Sequence, residues 1–166
     1  INSEMTSLDL DKYIDALVRD LGGVPSYKGY NGYQFSTTIS INKEVENALP
    51  NKEKMIKEGD LIKVGLAVNV NGFHANKGGI ISLGNLPPKA LKLVGVNREA
   101  IAESIKMIKP GNSELDMAGV VEDIVLMNGF SIVEDYTGSG IGRSLHENPA
   151  IFNFRTRDLP NFIFQE

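Results

Sequence analysis

Cysteine is absent from the 166 residues. That excludes disulfides and thiolate metal sites and decides nothing about compartment. Long apolar runs are absent too: none approaches the roughly 20 residues of a membrane span, so no membrane partner is expected. There is no excess of positive charge either, since the formal net charge is −4. A general grip on nucleic acid needs a basic face. Sequence-specific DNA binding is therefore not expected, although Lys52, Lys54, Lys57 and Lys63 leave room for a local basic patch. The opening Ile1-Asn2-Ser3-Glu4 lacks the basic, apolar and small-residue succession of a signal peptide. It also lacks an initiator methionine, which leaves two readings, a processed chain or part of a longer product. An intracellular location, cytoplasm or organelle, is the expectation. What is present is ordinary: 42% apolar and 23% charged residues place the chain with globular proteins, and its length suffices for one domain with a sizeable core.

Hydrophobic spacing and turn residues divide the chain. Thr6 or Ser7 caps a helix whose apolar positions are Leu8, Ile14, Leu17, Val18 and Leu21, and Gly22-Gly23 ends it. After a Tyr/Gly loop from Tyr27 to Tyr33, residues 35–45 read as a strand rich in Thr and Ile. Gly59-Asp60 turns into a second strand that runs to Val70. Asn71-Gly72 then makes a hairpin, and the chain returns through Phe73 to Leu83. Pro87-Pro88 opens a long helix to about Ile108, and Pro110-Gly111 breaks it. A capped helix spans 113–127 and ends at Asn128-Gly129. Residues 130–136 read as a strand, and 137–143 as a Gly-rich turn.

The apolar set Leu8, Ile14, Leu17, Val18 and Gly22 is echoed by Leu115, Val121, Ile124, Val125 and Gly129. Strands follow each copy. This predicts an α+β fold over 1–166 as a single domain. It would have two helix-plus-strand halves, about 1–86 and 87–166, with helices backing an antiparallel sheet.

Four segments, in order and in register, resemble the type I methionine aminopeptidases. They are Gly29-Tyr30-Asn31-Gly32-Tyr33 with 40–45; 57–62 with Asn71-Gly72-Phe73-His74; Lys109-Pro110-Gly111 with 128–133; and 138–143 with His146-Glu147-Asn148-Pro149. The resemblance covers nearly the whole chain. It implies the pita-bread fold of the M24-like peptidases, with the strands after Glu166 missing. It also implies an activity, removal of an initiator methionine by two divalent metals such as Co, Mn, Fe or Zn. Two cations activate a water and polarise the peptide carbonyl, and holding them takes bridging carboxylates and a histidine.

At the positions the resemblance assigns to metal ligands, this chain has Gly65, Asn76 and Ser139. The family's two glutamates would lie beyond Glu166. No metal ligand and no cofactor are therefore expected. Of the two histidines the family places near the substrate, His146 is kept and Asn47 replaces the other. Tyr30 and Tyr33 match residues lining the methionine pocket, and Leu145 stands where the family usually has Phe.

Other readings compete. His146 and His74 read first as structural or solvated histidines; His74, His146 and Glu147 together have the right donor types for a mononuclear site. Residues 138–142 read as a tight turn rather than a phosphate loop, because no helix follows directly. Ser139 has no adjacent His and Asp to activate it. Tyr27, Tyr30 and Tyr33 form either a retained apolar pocket or simple loop packing. The lysines read as a solvated face with a hint of RNA contact.

The functional expectation is a catalytically inactive binding or structural subunit, with the ribosome as one candidate site of association; the alternative is a metallo-aminopeptidase whose site is completed by another chain or rearranged ligands. Phe152, Phe154, Phe162, Ile163 and Phe164 make the tail apolar. Through it, a homo-oligomer or a larger protein or ribosomal assembly is the expected partner.

Overall fold

A computed structural model describes residues 1–156 and 162–166. The chain forms two compact units, Ile1–Pro87 with Ile141–Leu145, and Pro88–Gly140 with His146–Glu166.

The first unit begins with helix α1, Ser7–Asp20. Its cap is Thr6: the hydroxyl accepts the Asp9 N–H, and the Asp9 carboxylate accepts the Thr6 N–H, satisfying two donors that a helix start leaves open. Strands β1 (Val24–Pro25), β2 (Thr37–Ile41), β3 (Leu61–Val70) and β4 (Phe73–Ser82) follow. β3 is the central strand of this antiparallel sheet. β2 pairs with its first half, Thr37 opposite Leu66 through Ile41 opposite Ile62, while β1 pairs with Val68 and Asn69. β4 pairs with it from Leu61–Ser82 to Val70–Phe73. The hairpin lies where Asn71-Gly72 predicts it. Both residues adopt positive φ, +53° and +84°, as a tight turn between right-twisted strands requires.

α1 packs on β1 and β2. Leu10, Ile39, Ile41, Ile56, Ile62 and Val64 form the buried cluster, with Met5, Ile14, Ile81 and Leu83 against it. The face α1 turns inward is Leu10–Ile14–Val18; of the apolar positions read from the sequence Ile14 and Val18 lie on it, whereas Leu17 and Leu21 do not, and Leu21 is 79% exposed. Polar anchors set that rotation. Ser7 is tied to the Asn51 backbone. The buried Asp11 carboxylate accepts Ser36 N–H, Thr37 N–H and the Thr37 hydroxyl at 3.0, 2.8 and 2.7 Å. Such bonds to a buried charge fix a helix against its sheet, because leaving the carboxylate unpaired would cost several kcal/mol, roughly 3–5.

The second unit contains α2 (Pro88–Ile105) and α3 (Glu114–Met127), packed on each other. Ser113 and Asp116 make a second capping box. Two short strands, β5 (Gly138–Gly140) and β6 (Glu147–Ile151), pair antiparallel with a register shift after Ser139. The C-terminal residues join this unit: Gly111 N–H donates to Phe164 O, Phe164 N–H to Asn112 O, and Glu114 N–H to Phe162 O. Phe162 and Ile163 remain nearly half exposed.

Three boundaries differ from the sequence reading. The first strand is confined to Thr37–Ile41, and α2 ends at Ile105 before a run of turns. Residues 130–136 form no strand, although Ile132 and Val133 favour one. β-propensity needs a ladder to be realised, and the strand appears later, inside the predicted Gly-rich turn, where Gly138 and Ser139 find Ile151 and Ala150. Among the described residues, no helix is long and apolar enough to cross a membrane.

Candidate functional site

Alternation along β3 gives the sheet of the first unit two faces. Ile62 and Val64 point into the core beside Ile39 and Ile41. The opposite alternation, Lys63, Gly65, Ala67 and Asn69, lies on the other face. The register there sets Gly65 opposite Thr38 on one side and Gly78 on the other, and Ala67 opposite Asn76. Gly65 and Asn76, two of the positions singled out as family metal-ligand positions, are thus diagonal neighbours on one face.

Three further groups converge on this face. The Tyr27 phenol lies beside the Asn76 side chain; burial pushes it up, opposed by the Asn76 amide and assisted by the charge of Glu46. Glu46 is bonded in turn by the Lys63 ammonium, which also donates to Val45 O at 2.9 Å. Thr38 is buried, and its hydroxyl fills the space beside Gly65: a Cβ at Gly65 would sit 2.5 Å from it.

The aromatic residues stand in sequence beside this. Tyr27 meets Tyr33 edge-on at 6.3 Å between ring centroids, and Tyr33 meets Phe35 at 5.9 Å. Tyr33 is half-buried, donates its hydroxyl to Thr37 O at 2.8 Å, and burial, with Asp11 and Tyr27 nearby, pushes its phenol up to about 12. Tyr30 opens a single 3-10 turn, Tyr30–Gly32, and is exposed. Tyr33 is therefore an anchored ring that stays neutral, and Tyr30 an accessible one.

The remaining sequence candidates fall as follows. Asn47 is exposed with φ +53°, a left-handed conformation that Asn tolerates better than most residues. His74 is fully engaged: its Nδ1 is 2.9 Å from Ser26 Oγ, its Nε2 2.9 Å from Asn69 Nδ2, and its N–H donates to Gly142 O. Leu145 is buried. In the second unit, Ser139 lies exposed on β5, and His146 and Glu147 are exposed at the start of β6. Lys54 and Lys63 of the basic patch are paired with Glu44 and Glu46. Thr38 and Glu46 were not among the sequence candidates; Tyr27 was read only with the tyrosine loop and Lys63 only with the basic patch. The alternation Lys63-Gly65-Ala67-Asn69, polar or small at every second residue, was the available signal.

With this fold, the chain belongs to the pita-bread class of mixed α/β proteins with antiparallel sheets. It matches the model of metallopeptidase family M24 over residues 1–162, and it is a member of that family. It is 31% identical over 150 residues to the methionine aminopeptidase of Clostridium acetobutylicum, covering 90% of this chain and 60% of that protein. The methionine aminopeptidase structure from Thermotoga maritima superposes with a TM-score of 0.91 at 34% identity, over 97% of this chain and 64% of that one. The Rickettsia prowazekii methionine aminopeptidase structure superposes with a TM-score of 0.90 at 26% identity, over 96% of this chain and 64% of that one. The chain spans about 60% of the length of the curated relatives it matches.

These relatives overturn the expectation of a catalytically inactive binding or structural subunit: the proteins matching nine-tenths of the chain are named as methionine aminopeptidases, and nothing among them points to a non-catalytic role. The expectation of no cofactor gives way likewise, because the family is one of metallopeptidases, which need divalent metals. The described residues do not fit a metal pair by themselves. Gly65 offers no donor, and Asn76 offers a neutral amide in place of a carboxylate. Among the described residues no three His, Cys, Asp or Glu side chains are grouped as ligands would be.

Proposed function

We propose that this chain belongs to a metal-dependent aminopeptidase that releases methionine from the N-terminus of peptides. The observation that carries this reading is the similarity to methionine aminopeptidases along nine-tenths of the chain, in sequence and in fold together. The aromatic residues support it. A methionine side chain is apolar, flexible and polarisable, and it gains from contact with aromatic ring edges. Tyr30 is the accessible ring for that contact, and Tyr33, with its hydroxyl committed to the backbone, is the rigid one. Rigid apolar walls bind without the entropy loss of ordering themselves.

On this reading the metal takes its ligands outside the described residues, from a second chain, or from a rearranged set. The test incubates the protein with cobalt, manganese or zinc, measures the metal retained, and follows hydrolysis of a Met-Ala-Ser peptide on the same sample. Metal-dependent methionine release, abolished by a chelator, is the expected result. No cleavage with any of the three ions overturns the reading.

A further inference from the structure

The polar face of β3 and β4 carries more than missing ligands; it is rebuilt with other groups. An aspartate needs a Cβ, and at Gly65 that atom would lie 2.5 Å from Thr38 Oγ1 and 3.9 Å from the Tyr27 hydroxyl. The first distance is far inside van der Waals contact, and Thr38 is buried on a paired strand with little room to turn. The Tyr27 hydroxyl lies beyond it, beside Asn76. The acidic residue tied to this face, Glu46, is neutralised by Lys63.

From this arrangement we infer that the β3–β4 strand pair supplies no metal ligand, and that Thr38, Tyr27 and Asn76 make its polar face a neutral, packed surface. A metal serving the proposed aminopeptidase is held by other residues; to that extent the inference rests on the proposed function. Thr38 and Gly65 form one size-matched pair: the hydroxyl stands where the first carbons of an acidic side chain would be. Restoring the acid at position 65 alone overpacks the site.

Two measurements on the whole protein test this. In the first, thermal unfolding is compared for wild type, G65D and T38A/G65D. G65D should melt roughly 4–8 °C below wild type, and T38A/G65D should recover part of that loss, because removing the hydroxyl makes room for the new Cβ. A G65D protein as stable as wild type, or one not rescued by T38A, overturns the pairing. In the second, cobalt, manganese and zinc retained after gel filtration are measured for wild type and N76A. Metal content should be unchanged by N76A, and a tenfold loss overturns the inference. If wild type retains no metal, the unfolding comparison still decides. Failure to cleave Met-Ala-Ser would count against the proposed function and leave both comparisons intact.

Discussion

The Asn69 side-chain nitrogen lies 2.9 Å from His74 Nε2, and it can face that atom only as a donor. The other end of the amide, Oδ1, accepts the Gly72 N–H of the hairpin turn at 3.1 Å, so the orientation of the amide is assigned by its hydrogen bonds. His74 Nε2 must then accept, Nδ1 carries the proton, and that proton is donated to Ser26 Oγ at 2.9 Å. Ser26, His74 and Asn69 look like a nucleophile, base and orienting amide, but the polarity is reversed: the ring cannot take the serine proton while it is donating its own. Nitrogen NMR shifts should show Nδ1 protonated and Nε2 bare. N69D should reverse the tautomer, since a carboxylate accepts where the amide donates. A ring protonated at Nε2 in the wild type would refute this assignment.

Leu10 is the α1 residue inside the main buried cluster, at 2% exposure, whereas Leu17 on the same helix is 44% exposed. Leu10→Ala removes buried methyl groups and leaves a cavity, costing about 2–5 kcal/mol. Leu17→Ala should stay within about 0.5 kcal/mol. Urea unfolding of the two variants checks the inward face directly. Equal losses would mean that α1 is rotated from the orientation described.

Asp15 lies at the junction of α1 with the start of β2. The Arg19 guanidinium first, then the Ser36 hydroxyl and Lys28, hold its carboxyl well below the usual carboxylate range against the cost of burial. A carboxylate depressed by folding stabilises the protein in full above its unfolded pKa, about 3.9, and loses that contribution as pH falls toward the folded value. D15N should therefore be less stable than wild type at pH 7, and the gap should close progressively below about pH 4. A gap of the same size at pH 7 and pH 2 would remove Asp15 from this account.

On α3, the Arg155 guanidinium bonds Glu122 and Asp123 and lies over Gly119, where a Cβ would come within 2.9 Å of Nη2. Replacing a mid-helix glycine by alanine ordinarily stabilises by about 1 kcal/mol. Here the gain from G119A should be smaller in the wild type than in an R155A background, where nothing covers the position. Chemical denaturation of the four proteins in the cycle reads the coupling. Identical gains in both backgrounds would show that the arginine does not rest on Gly119.

Local chemistry was legible in the sequence. The Thr6 and Ser113 caps, the Asn71-Gly72 hairpin and the two long helices depend on residues a few positions apart, so short-range spacing determines them. The family resemblance was legible too, because four motifs in register are hard to produce otherwise. Its functional consequence is carried by the similarity along the whole chain, against which the substitutions at Gly65, Asn76 and Ser139 are local.

What only the tertiary structure decided depends on partners distant in sequence. Whether residues 130–136 become a strand depends on a ladder they do not find. Which face of α1 turns inward depends on Asp11 meeting Ser36 and Thr37. The polar face of β3 and β4 comes into being only when the strand register sets Thr38 beside Gly65 and brings Asn76 to the Tyr27 hydroxyl. A sequence specifies donors, acceptors and volumes, and sheet register selects which of them share a face, because a shift of one residue would send every one of those side chains to the other side.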